Sequence, residues 1–215
     1  MLYGLEAVKA NIRNRDGKRV FYLGKADQLT SEAKDHLAAQ RIEILPADMA
    51  KPEQYRLLGG GYLSEKPEHM THLYGNVLVP KTHPRIRFRG AMDRLEAMLL
   101  FCGEEVRPIL ELARRLIRCE VMDEPVGEFT LYGLTEAEQR KRSHFPQDYY
   151  AQPHFMPDFS DGEHLLRLNQ ARCAARSAEL AAAHAFPEGQ RMDIQQALNR
   201  MSSMLYILMI QEKAR

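Results

Sequence analysis

Arg172-Cys173-Ala174-Ala175-Arg176-Ser177-Ala178-Glu179, read with Leu198-Asn199-Arg200-Met201-Ser202-Ser203 one segment later, decides the fold of this chain in favour of packed helices. Offsets of four and seven residues return to nearly the same angle on an α-helix, so Arg172, Arg176 and Glu179 share one face of an alanine-rich helix. Two guanidiniums on one face suit an anion, because each presents a planar fork of donors. For that spacing taken alone, a solvated face with an internal ion pair is the alternative. The second stretch narrows the choice. Asn199, Ser202, Ser203 and Tyr206 form a polar stripe between Leu198, Met201, Leu205 and Leu208. A stripe so narrow belongs to groups that face something inside an assembly.

The same periodicity extends outward. Helices are expected from about Gly162 to Ala185 and from about Met192 to Lys213, separated by Pro187-Glu188-Gly189. Upstream, Ile86 to Phe101 carries an apolar face of Ala91, Leu95, Met98 and Leu99 and is broken by Gly103. Val106 to Val121 follows, with Pro108 tolerated in its first turn. Residues 123–160 read as irregular, with a short helix around Thr135 to Arg142. The expected fold class is therefore mainly α: a four- to five-helix up-and-down bundle over residues 85–215. Residues 1–60 read as a small N-terminal α/β appendage. Its elements are a strand at Arg19–Leu23, a helix starting near Thr30 or Ser31 and a strand at Ile42–Leu45 closed by Pro46. Residues 61–84 are expected to be a linker. The nearby Gly59-Gly60-Gly61 is read as a turn, since no Gly-Lys-Ser or Gly-Lys-Thr follows and no helix starts there, as a phosphate loop requires.

Thirty basic against 29 acidic residues among 215 leave a net charge of +1. No global field then draws nucleic acid or an anionic membrane, and any anion site must be local. Cys102, Cys119 and Cys173 are odd in number and far apart, which suggests a reducing cytoplasm rather than a disulfide framework. No apolar run reaches about 18 residues, and Glu6, Lys9 and Arg13 stand where a signal peptide needs an apolar core. The expectation is a protein neither secreted nor membrane-spanning.

Several ordered segments carry a family likeness. They are Thr71-His72-Leu73, Lys81-Thr82-His83-Pro84-Arg85-Ile86, Phe88-Arg89-Gly90-Ala91-Met92-Asp93-Arg94-Leu95-Glu96, Asp123-Glu124-Pro125, Gly133-Leu134, Ser143-His144 and Asp193-Ile194-Gln195-Gln196-Ala197-Leu198-Asn199-Arg200. Together with the two arginine and asparagine stretches, they resemble the ATP:cobalamin adenosyltransferases, and within them the ethanolamine-utilisation branch. The likeness runs from about residue 71 to the C-terminus and more weakly through the first 50 residues. It implies that a cob(I)alamin cobalt attacks the 5′ carbon of ATP and releases triphosphate. Such a displacement needs directional cationic contact with a polyanionic leaving group in a site closed to water, and no proton need move.

The resemblance also implies residue roles. Lys81, Arg85 and Arg89, with Arg87, stand where the family places its triphosphate loop, although the Thr, Gly and Asp of the better-studied propanediol branch are missing. Arg176 and Asn199 match residues that contact ATP, and Arg172 matches one that pairs with Asp93 of a neighbouring subunit. Glu179 is expected to orient the arginines, since a carboxylate aimed at phosphate repels it. Ser203 replaces an aspartate of the wider family. Phe155 and Phe159 are the candidates for approaching the corrinoid, with core packing as the alternative for each. ATP, cobalamin and Mg²⁺ with the nucleotide are the expected ligands. The expected assembly is a homo-oligomer, a trimer first and a dimer second, with a bacterial microcompartment as a further association. No structural metal is expected, because the histidine and C-C-x2-C cluster of some ethanolamine-branch enzymes has no counterpart here: no cysteine occurs before Cys102, and His69 and His72 alone seldom close a site. The rival readings are a non-catalytic corrinoid or nucleotide sensor and a helical scaffold.

Overall fold

The computed structural model describes residues 1–15, 17–50 and 54–214, and the chain divides into two compact units, Met1–Lys81 and Thr82–Arg215. The first unit contains β1 (Leu2–Tyr3), α1 (Leu5–Asn11), β2 (Arg13–Arg15), β3 (Lys18–Leu23), β4 (Gln28–Leu29), α2 (Ser31–Ala39) and β5 (Glu43–Pro46). Thr30 caps α2 by accepting the amide of Ala33 at 3.3 Å. Strand β3 pairs antiparallel with β2 and parallel with β5. A parallel pair requires a crossover, and α2 supplies it. Its Ala33 and Leu37 are buried in one cluster with Val8, Phe21, Leu29 and Ile42.

The expected linker is folded. Strands β6 (Tyr55–Leu57), β7 (Tyr62–Leu63), β8 (Met70–Tyr74) and β9 (Val77–Pro80) form one sheet in the order β7-β6-β9-β8, so residues 61–84 carry three strands instead of a connection. Strands of two to five residues are too short for alternation to register in the sequence. Gly59-Gly60-Gly61 is the hairpin turn between β6 and β7: Gly60 and Gly61 have φ of 98° and 91°, and the Leu57 amide donates to the Gly61 carbonyl at 3.0 Å. Side-chain-bearing residues rarely adopt such φ values, which is what the glycines are for.

The second unit is helical, with α3 (Pro84–Cys102), α4 (Arg107–Met122), α5 (Glu136–His144), α6 (Pro146–Tyr150), α7 (Glu163–Ala185) and α8 (Met192–Lys213). Mainly helical structure with a small α/β N-terminal part is thus what the chain forms. His83 caps α3, its Nδ1 accepting the Arg85 amide at 3.2 Å ahead of Pro84 in the first turn. Thr135 and Glu138 form a capping box on α5. Helix α7 packs against both α3 and α8. Its buried residues include Ala171, Ala174, Ala175, Ala178 and Ala182, small enough for close approach of the neighbours. Enlarging Ala175 to leucine in so filled a core would cost about 1–3 kcal/mol.

The start of α8 is fastened to the end of α4. Arg191, in the left-handed region at φ 48°, donates to the carbonyls of Cys119 at 3.3 Å and Glu124 at 2.9 Å and to Asp193 Oδ1 at 3.1 Å. Asp193 Oδ2 in turn accepts the Val126 amide at 3.0 Å. Burial works to raise the Asp193 carboxyl, but Arg191 and that amide hold it below the ordinary carboxylate range. Among the described residues no helix is long and apolar enough to cross a membrane.

Candidate functional site

Helices α7 and α8 bring the sequence-predicted polar groups into one strip. Asn199 Nδ2 on α8 donates to Glu179 Oε1 on α7 at 2.9 Å. Glu179 therefore holds Asn199. Among the described residues it bonds to neither arginine, which it was expected to orient. Arg172 is held elsewhere: its Nε and Nη2 donate to Asn169 Oδ1 at 3.2 and 3.0 Å, and its guanidinium carbon lies 5.9 Å from the Tyr206 ring centroid. Arg176 is exposed and makes no hydrogen bond or ion pair among the described residues. Its donor fork is left available for an incoming anion.

A second cationic group sits at the start of α3. Arg85 Nε donates to Glu120 Oε1 at 2.6 Å and Arg85 Nη2 to the Glu120 carbonyl at 3.0 Å, while Arg89 Nε donates to Glu120 Oε2 at 2.7 Å. The Glu120 side chain is fully buried, and those of Arg85 and Arg89 are about one-fifth exposed at 21% and 20%. Two guanidiniums against one carboxylate leave this cluster with one positive charge, at a helix N-terminus whose dipole has the same sign. Arg85 also lies 5.6 Å over the Phe186 ring, which meets Phe88 edge-on. Arg87 is exposed, and so is Asp93, which has no bonded partner among the described residues. Lys81 belongs to the N-terminal unit, where its Nζ donates to Glu68 at 2.7 Å.

Glu120 is the participant that sequence reasoning missed. Its signal was legible, because Ile109, Ala113, Leu116 and Glu120 fall at the four-three-four spacing of one buried helix face. A carboxylate on such a face must find a cation. Arg200, next to Asn199, is a second omission: it is 8% exposed, and its Nη1 has no partner among the described residues. Burial, then repulsion from Arg140, draws its pKa down against the attraction of Glu136 and Glu179.

The segment after α6 supplies the aromatic side of the strip. Phe155 is half-buried and stacks on Tyr206 with centroids 5.9 Å apart, and Lys213 Nζ lies 5.8 Å from its ring centroid. Phe159 is fully exposed at 101%. Of the two aromatic candidates, the structure brings only Phe155 to the strip that carries Arg172.

Among the described residues no group of three or more His, Cys, Asp or Glu side chains is arranged to hold a metal ion. His72 instead lies against Tyr55 with ring centroids 5.6 Å apart. Burial pushes the Cys102 thiol up to about 11, with Glu105 adding to the effect, and Cys119 is raised too, so both are unreactive core thiols.

Residues 61–212 match the cobalamin adenosyltransferase family, a stretch that includes β7 to β9, helices α3 to α7 and α8 as far as Glu212. The chain belongs to this family. It is 35% identical over 158 residues to the corrinoid adenosyltransferase EutT of Salmonella typhimurium, covering 68% of this chain and 59% of that protein. To the corrinoid adenosyltransferase EutT of Escherichia coli K12 it is 32% identical over 160 residues, 69% of this chain and 60% of the relative. The matches thus span about three-fifths of these relatives' own length. The adenosyltransferase family match contains the Arg172–Glu179 and Asn199 strip and the Arg85–Arg89–Glu120 cluster entire.

Proposed function

We propose that this protein transfers the 5′-deoxyadenosyl group of ATP to the cobalt of a reduced corrinoid, giving adenosylcobalamin and triphosphate. The Co–C5′ bond forms as the C5′–O bond breaks, cobalt is oxidised from Co(I) to Co(III), and triphosphate leaves with the bonding electron pair. The observation that carries the reading is the α7–α8 strip, in which an uncommitted Arg176 lies about one turn before the Glu179 that holds Asn199, inside a chain of adenosyltransferase lineage. Negative charge that grows on the leaving group is stabilised by donors already in position, and Arg176 with the net-positive Arg85–Arg89–Glu120 cluster provides them. Asn199, fixed by its bond to Glu179, is suited to a neutral polar part of the nucleotide.

Phe155 is the aromatic for the corrinoid side, stacked on Tyr206 and next to the charge of Lys213. Mg²⁺ accompanies the nucleotide, offsetting phosphate charge. Asp93 and Arg172 belong to a contact between subunits of a homo-oligomer, a trimer before a dimer. The proposed setting is ethanolamine utilisation, in the cytoplasm or with a microcompartment, a reading that the likeness to the EutT relatives supports.

Anaerobic incubation with ATP and chemically reduced cobalamin tests the reading. Adenosylcobalamin and triphosphate should accumulate in equal amounts, followed by the corrinoid spectrum and by phosphate analysis. Tight binding of ATP or corrinoid over hours without product would instead make the protein a sensor.

A further inference from the structure

Tyr206 touches groups from both ends of the strip. Its ring carries the Arg172 guanidinium at 5.9 Å, one turn along α7 from the Arg176 assigned to the nucleotide. The same ring stacks on Phe155 at 5.9 Å and on His154 at 5.7 Å, with interplanar angles of 25° and 9°. Its hydroxyl lies 3.0 Å from His154 Nδ1 and accepts the Phe155 amide at 3.3 Å.

The tautomer of His154 follows from its other nitrogen. Nε2 lies 3.0 Å from the carbonyl of His144, the last residue of α5, and a carbonyl oxygen can only accept. The proton of the neutral ring is therefore on Nε2, Nδ1 is the acceptor, and the Tyr206 hydroxyl donates to it. That hydroxyl thus gives its one proton to His154 and receives the Phe155 amide. A relay runs from Arg172 on α7 through Tyr206 on α8 to the backbone of Phe155, and on through His154 to the end of α5.

We propose that Tyr206 is a positioning residue that couples the nucleotide and corrinoid sides: its ring orients Arg172, and its hydroxyl, through His154, fixes the 154–155 backbone that aims Phe155. This deepens the adenosyltransferase reading and rests on it. The ring and the hydroxyl serve different partners, so two substitutions separate them. Tyr206→Phe keeps the ring under Arg172 and releases the 154–155 segment. Tyr206→Ala removes both.

Steady-state kinetics with ATP and cob(I)alamin, with thermal melting alongside, test the proposal. Tyr206→Phe should raise the corrinoid KM ~10-fold, about 1.4 kcal/mol, while the ATP KM and the melting temperature stay as in the wild type. Tyr206→Ala should raise both KM values. His154→Gln, on an exposed segment, should reproduce the Tyr206→Phe effect, and the double variant should be no worse than either single, because both cut one link. An unchanged corrinoid KM in Tyr206→Phe, equal rises for both substrates, or additive effects in the double variant would overturn the coupling while leaving adenosyl transfer standing. If the wild type forms no product, equilibrium titration with ATP and cob(II)alamin reads the same link. ATP should then alter corrinoid affinity in the wild type and not in Tyr206→Phe. Independent binding in the wild type would refute the coupling alone, and binding of neither ligand would refute the parent reading with it.

Discussion

Arg85 reaches from the first turn of α3 to Glu120 in the last turn of α4 at 2.6 Å, and it does so inside the core, where the Glu120 side chain has no exposure. With Arg89 on the other carboxylate oxygen, one buried anion fixes two cations of the candidate anion site. Removing one side of such a cluster leaves charge stranded in a medium that solvates it poorly. Glu120→Ala should therefore lower unfolding stability by about 3–5 kcal/mol, measured by urea denaturation. Glu120→Gln, which keeps the shape and some of the hydrogen bonds, should cost less. Wild-type stability in Glu120→Ala would show that the arginines do not depend on it.

The same end of α3 should be sensitive to acid. Burial, followed by the nearby Arg85 and Arg89, holds the His83 imidazole below its ordinary value of 6.5, with Glu120 only partly opposing. The folded state then binds fewer protons than the unfolded chain between the depressed value and 6.5. Stability from this group is present above 6.5 and is lost as pH falls through that window, because protonated Nδ1 can no longer accept the Arg85 amide. Melting temperatures at about pH 7.5 and about pH 5.5 should differ more for the wild type than for His83→Asn, which caps without titrating. Equal acid sensitivity in both proteins would remove His83 as the cause.

These two predictions rest on contacts of unequal legibility. The long helices were readable because α3, α7 and α8 repeat apolar residues over 19, 23 and 22 residues, long enough for a 3.6-residue period to stand out. The sheet at 55–80 was not, since its strands run two to five residues and its glycines resemble linker composition. In the site, helical spacing put Arg172, Arg176 and Glu179 on one face. It could not say that Glu179 prefers Asn199, because that choice depends on how α7 and α8 are set against each other. The Glu120 cluster likewise joins residues 31 and 35 positions apart. His154 was invisible for the same reason, its partners Tyr206 and His144 being 52 and 10 residues away.

Unlike Arg85, Arg89 and Arg172, Arg176 has no bonded partner among the described residues, so its substitution should act on chemistry more than on folding. Arg176→Ala should lose ~10²-fold or more in turnover, roughly 3 kcal/mol, with little change in melting temperature. Lysine should restore only part of the rate, since a point charge cannot grip two phosphate oxygens at once. Normal turnover in the alanine variant would take Arg176 out of the site.

The last prediction concerns assembly. Within one chain Asp93 is exposed and bonds to nothing among the described residues, although it lies one turn beyond Arg89 on a helix rich in arginine. Arg172 spends its Nε and Nη2 on the neutral Asn169 oxygen, so its charge has no carboxylate partner among the described residues. An unpaired carboxylate and an unpaired guanidinium on one subunit surface are complementary across a boundary between copies. A pair that becomes buried there costs about 3–5 kcal/mol to break from one side, because the surviving charge is left without compensation. Asp93→Ala and Arg172→Ala should each shift the oligomer toward smaller species and lower activity, as read by light scattering after size separation. The charge-swapped double variant, Asp93→Arg with Arg172→Asp, should recover assembly better than either single reversal. Strictly additive losses in that cycle would mean that the two side chains never meet, and that each acts within its own subunit.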